Sequence, residues 1–178
     1  LAAVLRLKSH ADEELAAALE AFRARAQRVT HGHTTVLSCS TPGSDGAHAG
    51  GLFPAVALVA SQPVVLVVPA DRLGAAIPSE QLTRSNVAFV PVHALLPGLR
   101  HALGGRVELG FVSVFQLLAA LLDPAGAQIH LVGGHDAAML ERVARLMARF
   151  GAIRCWVVRG LDGLDALSPS GPSEVASL

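Results

Sequence analysis

Residues 151–175 read GAIRCWVVRGLDGLDALSPSGPSEV, and this stretch decides the fold. Its first part, Ile153 to Val158, is rich in β-branched and aromatic residues, which is typical of a buried strand. A turn rich in Gly and Asp follows from Gly160 to Gly163, where the backbone can take left-handed conformations and approach a ligand closely. Because ligands bind at the carboxyl ends of the strands in an open α/β sheet, Asp162 and Asp165 are predicted to face a site.

Similar apolar runs recur along the chain and alternate with stretches of helical periodicity. The predicted strands are 35–39, 64–68, 87–92, 129–132 and 153–158. Continuous apolar strands of this kind are typical of a parallel sheet that helices cover on both faces. A helix is predicted from Asp136, a good N-cap residue, to Phe150, with Gly151 at its end. The predicted fold class is therefore α/β, with a mainly parallel sheet and helices on both faces.

Composition narrows the class of protein. The chain has 178 residues, of which 52% are hydrophobic and 16% charged, so it can form one globular domain with a real core. Its formal net charge is zero, which gives no general attraction to nucleic acid or to anionic lipid. No apolar run approaches the ~20 residues of a membrane span, and no secretory signal is evident. Cys39 and Cys155 are expected to be reduced and buried in a cytoplasmic protein.

The N-terminal residues predict a helical piece, and an ordinary amphipathic surface helix fits their pattern. Ser9 is the predicted N-cap, and Leu15, Leu19 and Phe22 recur at helical spacing along one face. The chain has no initiator Met and opens inside an apparent helix at Leu1, so a longer protein is expected.

A polar connector separates this helical piece from the α/β part. The predicted divisions are 1–29 for this helical piece, 30–34 for a hinge and 35–178 for the α/β domain. Two histidines in the connector, His31 and His33, fit either a metal-binding pair or, in the preferred interpretation, the hinge itself.

The first strand is followed by a glycine-rich loop and then by a helical run. Strand, glycine-rich loop and helix form the order that cradles phosphate groups, because backbone N–H groups and a helix N-terminus attract anions. The candidate cradle residues are Gly43, Ser44, Asp45 and Gly46. An ordinary turn is the alternative, since Pro42 removes one N–H donor.

Several motifs, in the same order, resemble those of the anthranilate phosphoribosyltransferase family. They are the C-terminal segment GLDGLDALSPSGPS at 160–173, the stretch LGFVSVFQLLAALLDPAGA at 109–127 and the loop PGSDG at 42–46. The resemblance implies the nucleoside phosphorylase/phosphoribosyltransferase fold with part of a small helical N-terminal domain. It also implies phosphoribosyl pyrophosphate as a ligand, Mg²⁺ as a cofactor and a homodimer.

The resemblance assigns roles to particular residues. Arg72 matches the arginine of a family motif that helps to hold both substrates, and Arg106 matches one that contacts the anthranilate carboxylate. A guanidinium suits a carboxylate through two parallel hydrogen bonds. Asp165 retains the first residue of the Asp-Glu pair that binds Mg²⁺ in the family, and Asp162 is the candidate to replace the second.

Other positions depart from the family pattern. Asp71 stands where the family has Asn, Leu96 where it has a histidine that contacts the acceptor, and Ala166 where it has the metal-binding Glu. His93 and His101 lie near the missing histidine but out of register, and both are interpreted as solvent-facing. These departures leave two functions open.

The first is a phosphoribosyltransferase, with Mg²⁺ and with an amine as acceptor. The second is a non-catalytic relative that binds nucleic acid, weakly, or another phosphate-bearing ligand. Arg142, Arg145 and Arg149 share one helix face, which is interpreted either as a contact for nucleic-acid phosphates or, preferably, as a solvated surface.

A geometric expectation follows from the fold. Residues 35–46 and 153–165 are expected to lie on neighbouring strands, with the turns that follow them opening into one shared hollow.

Overall fold

The structure, a computed structural model, describes residues 10–42, 63–68, 87–99, 102 and 111–178. Four helices and six strands lie within these ranges. The helices are α1 (Asp12–Arg25), α2 (Val92–Leu95), α3 (Val114–Ala120) and α4 (Ala137–Arg149). The strands are β1 (Leu37–Ser40), β2 (Val64–Val68), β3 (Val87–Pro91), β4 (Ile129–Gly133), β5 (Arg154–Gly160) and β6 (Ser173–Ser177).

The six strands form one sheet in the order β3-β2-β1-β4-β5-β6. The first five are parallel, and β6 runs antiparallel to β5 with Val158 opposite Val175. The predicted α/β fold with a mainly parallel sheet is therefore confirmed. The antiparallel strand β6 was not among the predicted strands, because its Ser- and Glu-containing sequence lacks the apolar run of a buried strand.

One expectation about the sheet is wrong. Strands β1 and β5 are not neighbours, because β4 lies between them and pairs with both. The chain reaches β4 only after it has built β2 and β3 on the other side of β1. The spacing of strands along the sequence does not show which strands pair. It therefore could not predict that β4 lies between β1 and β5.

The ends of α4 agree with the sequence prediction. The Asp136 carboxylate accepts a hydrogen bond from the Ala138 amide at 3.0 Å, which satisfies one of the free N–H groups of the first turn. Gly151 takes a φ of +89°, a left-handed conformation that glycine adopts without steric cost.

The start of α1 differs from the prediction. The N-cap position is held by Ala11, and α1 begins at Asp12. The Ala11 amide donates to the Glu14 carboxylate at 3.1 Å, so a side chain inside the helix replaces the expected Ser9 cap.

Helices α1, α3 and α4 pack together on one face of the sheet. Their shared core contains Leu15, Leu19, Leu118, Val143 and Met147. The guanidinium of Arg23 fastens the end of α1 by donating to the Leu121 carbonyl at 2.8 and 3.0 Å.

The opposite face of the sheet is also covered at its centre, since Cys39, Val64 and Leu66 are buried there. Within the described ranges, no helix has the length and apolar character needed to span a lipid bilayer.

Candidate functional site

The sheet has a point at which its strand order reverses. From β1 the chain adds β2 and β3 on one side, and it then returns to add β4 and β5 on the other. At this switch point Ser40 of β1 lies beside Val132 of β4, and both strands end at the same edge. A crevice opens at such a point because the connections that follow the two strands diverge, and ligands of open α/β sheets bind there.

The chain leaves β1 at this edge. Ser40 and Thr41 are buried, and Pro42 follows them. The four residues predicted to cradle a phosphate come directly after Pro42, but Gly43, Ser44, Asp45 and Gly46 lie outside the described residues.

The end of β4 is covered by the turn that follows β5. A Cβ atom on Gly133 would overlap the carbonyl oxygen of Asp165, and it would lie 3.1 Å from the Asp165 Cβ. Only glycine allows so close an approach of another backbone segment. This contact brings the predicted metal-binding turn to the switch point although β5 is one strand further away. Gly133 is the sequence signal that could have predicted this contact.

The two aspartates of this turn have different surroundings. Asp165 is fully buried, with 0% of its surface exposed. Asp162 is on the surface, where its Oδ2 accepts hydrogen bonds from the hydroxyl groups of Ser168 at 2.5 Å and Ser170 at 3.2 Å. Its Oδ1 accepts from the Leu164 amide at 3.3 Å. The Ser168 hydrogen bond is the main reason that the pKa of Asp162 is lowered, so this carboxylate is ionised near neutral pH.

The residues of the turn do not fit a Mg²⁺ ion held by both aspartates. Mg²⁺ needs carboxylate oxygens that point into a shared, open space with several water ligands. Asp165 has no open side, Asp162 is engaged by two hydroxyl groups, and Ala166 supplies no oxygen from its side chain. In the part of the chain that the structure describes, no group of three or more His, Cys, Asp or Glu side chains could hold a metal ion.

The remaining predicted site residues can be located only in part. Arg72, Arg106 and His101 fall outside the described residues. His93 lies in α2, directly after the carboxyl end of β3, and it is partly buried. Its Nδ1 is buried and has no hydrogen-bond partner among the described residues. His93 is thus only partly exposed to solvent, with its Nδ1 side buried.

The histidines of the connector lie close to each other. The rings of His31 and His33 stack with centroids 6.1 Å apart, and His31 Nε2 lies 2.8 Å from the Ala125 carbonyl oxygen. This hydrogen bond fastens the connector to the loop after α3.

The arginine row of α4 is engaged in ion pairs. Arg142 pairs with Asp12 at 2.7 Å and Arg149 with Glu13 at 2.7 Å, so both link α4 to the start of α1. Arg145 pairs with Glu141 at 3.2 Å within α4. The preferred interpretation, a solvated surface, holds for Arg145 and Arg149, whose side chains are exposed, while Arg142 is partly buried. The carboxylates of α1 lie against two of the three arginines, so this surface is not a free phosphate-binding face.

Comparisons with known proteins agree with the fold. The sequence profile of the Glycosyl transferase family, a/b domain, matches residues 74–178. The anthranilate phosphoribosyltransferase of Myxococcus xanthus is 36% identical over 201 residues, which cover 100% of this chain and 59% of that protein. The chain thus spans about three-fifths of the length of this relative.

Solved structures give the same result. The anthranilate phosphoribosyltransferase of Thermus thermophilus superposes with a TM-score of 0.76 at 25% identity, over 99% of this chain and 61% of that one. The Saccharomyces cerevisiae enzyme in complex with phosphoribosyl pyrophosphate and Mg superposes with a TM-score of 0.70 at 18% identity, over 94% and 55%. The chain belongs to the glycosyl transferase family with the a/b domain, the family that includes the anthranilate phosphoribosyltransferases.

Proposed function

We propose that this chain forms the ligand-binding part of a phosphoribosyltransferase that transfers the phosphoribosyl group of phosphoribosyl pyrophosphate to an amine. The observation that carries the proposal is the approach of Asp165 to Gly133, which joins the turn after β5 to the switch point between β1 and β4. A phosphorylated sugar fits such an edge because the loops that follow parallel strands offer backbone N–H groups to anions.

The reaction exchanges one bond for another at the sugar. The bond from ribose C1 to the pyrophosphate oxygen breaks, and a bond from C1 to the amine nitrogen forms. Pyrophosphate leaves with the bonding electrons, and the nitrogen releases one proton to solvent. The protein's part in this scheme is mainly to position the two reactants and to stabilise the charge of the departing group.

The site residues predicted from the sequence have separate roles in this reaction. Residues 43–46 hold the pyrophosphate through their backbone N–H groups. Arg106 orients the carboxylate of the acceptor, and Arg72 holds both substrates.

Asp162 and Asp165 are the carboxylates of the proposed site. No step of the reaction depends on a metal ion that both of them bind. Asp162 instead fixes the turn through its bonds to the Ser168 and Ser170 hydroxyl groups. We further propose that the protein acts in the cytoplasm as a homodimer. Residues 1–29 then form the end of a helical domain, and residues 30–34 form its hinge.

A second function is favoured by the burial of Asp165 and by Ala166. A chain that lost its metal-binding pair and kept the phosphate loop would bind a phosphate-bearing ligand without turning it over. Nucleic acid is a less favoured ligand than a small phosphate-bearing molecule. Each contact with a nucleic-acid phosphate requires a free Lys or Arg, and the α4 arginines are paired with carboxylates.

Calorimetry separates these functions. Phosphoribosyl pyrophosphate is titrated into the protein with Mg²⁺ and with a chelator, and release of pyrophosphate is then followed with anthranilate as acceptor. Saturable binding together with pyrophosphate release supports the transferase. Binding without release supports the second function, and absence of binding in both solutions contradicts both.

Variants identify the site. Arg106→Ala should weaken turnover, whereas Arg145→Ala is the matched control because Arg145 pairs with Glu141 of its own helix. If Asp162→Asn leaves the Mg²⁺ dependence of binding unchanged, the ion is held by the ligand and by other residues. Equal turnover in the Arg106→Ala and Arg145→Ala variants would overturn the assignment of the acceptor site.

A further inference from the structure

The connector between α1 and β1 has the burial pattern of an extended segment that lies on a surface. Every second residue is partly buried, namely Val29, His31, His33 and Thr35. The residues between them are exposed. A period of two is typical of an extended chain with one face against the protein. The connector therefore packs along the rest of the molecule.

Two backbone amides of the connector bond to different parts of the protein. The Gln27 amide donates to the carbonyl of Leu95 in α2 at 2.8 Å. The Val29 amide donates at 2.9 Å to the carbonyl of Pro124, in the loop between α3 and β4. The two acceptors belong to segments next to β3 and β4, which lie on opposite sides of β1 in the sheet.

The His31 side chain adds a third bond, at the same loop. Its Nε2 lies 2.8 Å from the Ala125 carbonyl oxygen, and it carries the proton because a carbonyl can only accept. Residues 27, 29 and 31 thus all bond to the protein, at the spacing of an extended chain. Of the three bonds, the one from His31 is the bond that a side-chain substitution removes.

Helix α2 depends on contacts of this kind. It has four residues, Val92–Leu95, and so short a helix is unstable alone because nucleation costs more than its few hydrogen bonds return. Its last carbonyls have no partner within the helix, and the Gln27 amide satisfies the one at Leu95. Because α2 directly follows the carboxyl end of β3, it begins at the sheet edge where the candidate site lies.

From these observations we infer that residues 27–31 form a strap that ties α2 to the loop between α3 and β4. The two ends of the strap are coupled, so α2 loosens when the end at His31 opens. The strap includes His31 of the predicted hinge 30–34, so a movement of that hinge requires the strap to open. The inference does not depend on the proposed transferase activity.

Amide hydrogen exchange, resolved by residue with NMR, tests the strap on the whole chain. In His31→Ala, the amides of Gln27, Val29 and Leu96 should exchange about tenfold faster, the effect of losing one hydrogen bond at the upper end of its usual net range. Leu96 reports on α2 because its amide donates to the Val92 carbonyl at 3.0 Å.

Two controls accompany this variant. The Leu161 amide, bonded to the Pro172 carbonyl in the turn after β5, opens without the strap and should keep its exchange rate in His31→Ala. Thr30→Ala, an exposed change within the strap, should leave the rates of Gln27, Val29 and Leu96 as they are in the unaltered chain.

Three results would overturn the inference. Unchanged exchange of the Gln27 and Val29 amides in His31→Ala shows that His31 does not hold the connector. Faster exchange of these two with an unchanged rate at Leu96 shows that the ends are not coupled. An equal effect of Thr30→Ala shows that the bond from His31 is not the cause.

A second measurement applies if His31→Ala is unfolded, as thermal melting would reveal. Exchange is then measured on the unaltered chain in low concentrations of urea. The amides of Gln27, Val29 and Leu96 should share one opening equilibrium with the same urea dependence, since a coupled segment opens as a unit. Separate opening equilibria for the connector and α2 would contradict the strap.

Discussion

The carbonyl oxygen of Asp165 occupies the space that a side chain on Gly133 would need. This contact joins two strand ends that are distant in sequence, and it determines where the turn after β5 lies. It also buries Asp165 completely. A residue proposed for metal binding is therefore held as a packing element at the edge of the sheet.

Gly133→Ala should destabilise the protein because the new methyl group collides with backbone that cannot rotate away. The expected loss is about 1–3 kcal/mol in the free energy of unfolding, the usual cost of overpacking. Urea denaturation measures it. Gly32→Ala is the control, since a Cβ there would have no atom within 4 Å. Equal stability of the two variants would show that the Asp165 segment moves freely.

Arg142→Ala should loosen the contact between α1 and α4. Arg142 pairs with Asp12 and donates to the His10 carbonyl, so its loss removes two links between the helices. We expect a loss of about 1 kcal/mol, at the upper end for partly exposed pairs. Hydrogen exchange should quicken in α1, and added salt should narrow the difference.

The matched control for this variant is Arg145→Ala. Arg145 pairs with Glu141 inside α4, and its loss should change stability by less than about 0.5 kcal/mol. If both variants change the hydrogen-exchange rate of α1 equally, the ion pair between Arg142 and Asp12 does not stabilise the contact between α1 and α4.

His130 should make the folded state sensitive to acid. Burial lowers the pKa of His130, while the Asp123 charge and the hydrogen bond to the Ala127 carbonyl act in the opposite direction, and the Arg23 charge adds to the lowering. The unfolded chain, with a histidine pKa of about 6.5, then binds the proton more readily than the folded chain. Stability should be complete above about pH 6.5 and should fall as the pH drops through 6.5 toward the lower folded-state pKa.

His130→Gln tests this dependence because an amide can still donate to the Ala127 carbonyl but does not titrate in this range. The free energy of unfolding, measured from pH 8 to pH 5, should fall less steeply in the variant. An unchanged slope would assign the acid sensitivity to other groups.

Both thiols should be unreactive in the folded protein. Burial raises the pKa of Cys39 to about 12 and that of Cys155 to about 12, and neither is in a disulfide. The thiolate is the reactive form, so almost none is present at pH 8. A chromogenic disulfide reagent should label neither cysteine until denaturant is added, and it should then label both. Rapid labelling of one thiol in the native protein would contradict the burial of that strand.

The sequence by itself determined the five parallel strands and both ends of α4. The five apolar runs mark the five parallel strands, and 64–68 has the same bounds as β2. Asp136 and Gly151 mark the ends of α4 because capping and left-handed glycine act within a few residues. The family also follows from short motifs, since these are properties of the chain itself.

Only the tertiary structure decided what lies beside what. It placed β4 between β1 and β5, buried Asp165 against Gly133 and paired Arg142 and Arg149 with carboxylates of α1. Periodicity and spacing describe which face of an element is apolar, but not which other element covers it. The roles of Asp165 and of the arginine row depend on such contacts between distant segments, so the sequence could name these residues without determining their surroundings.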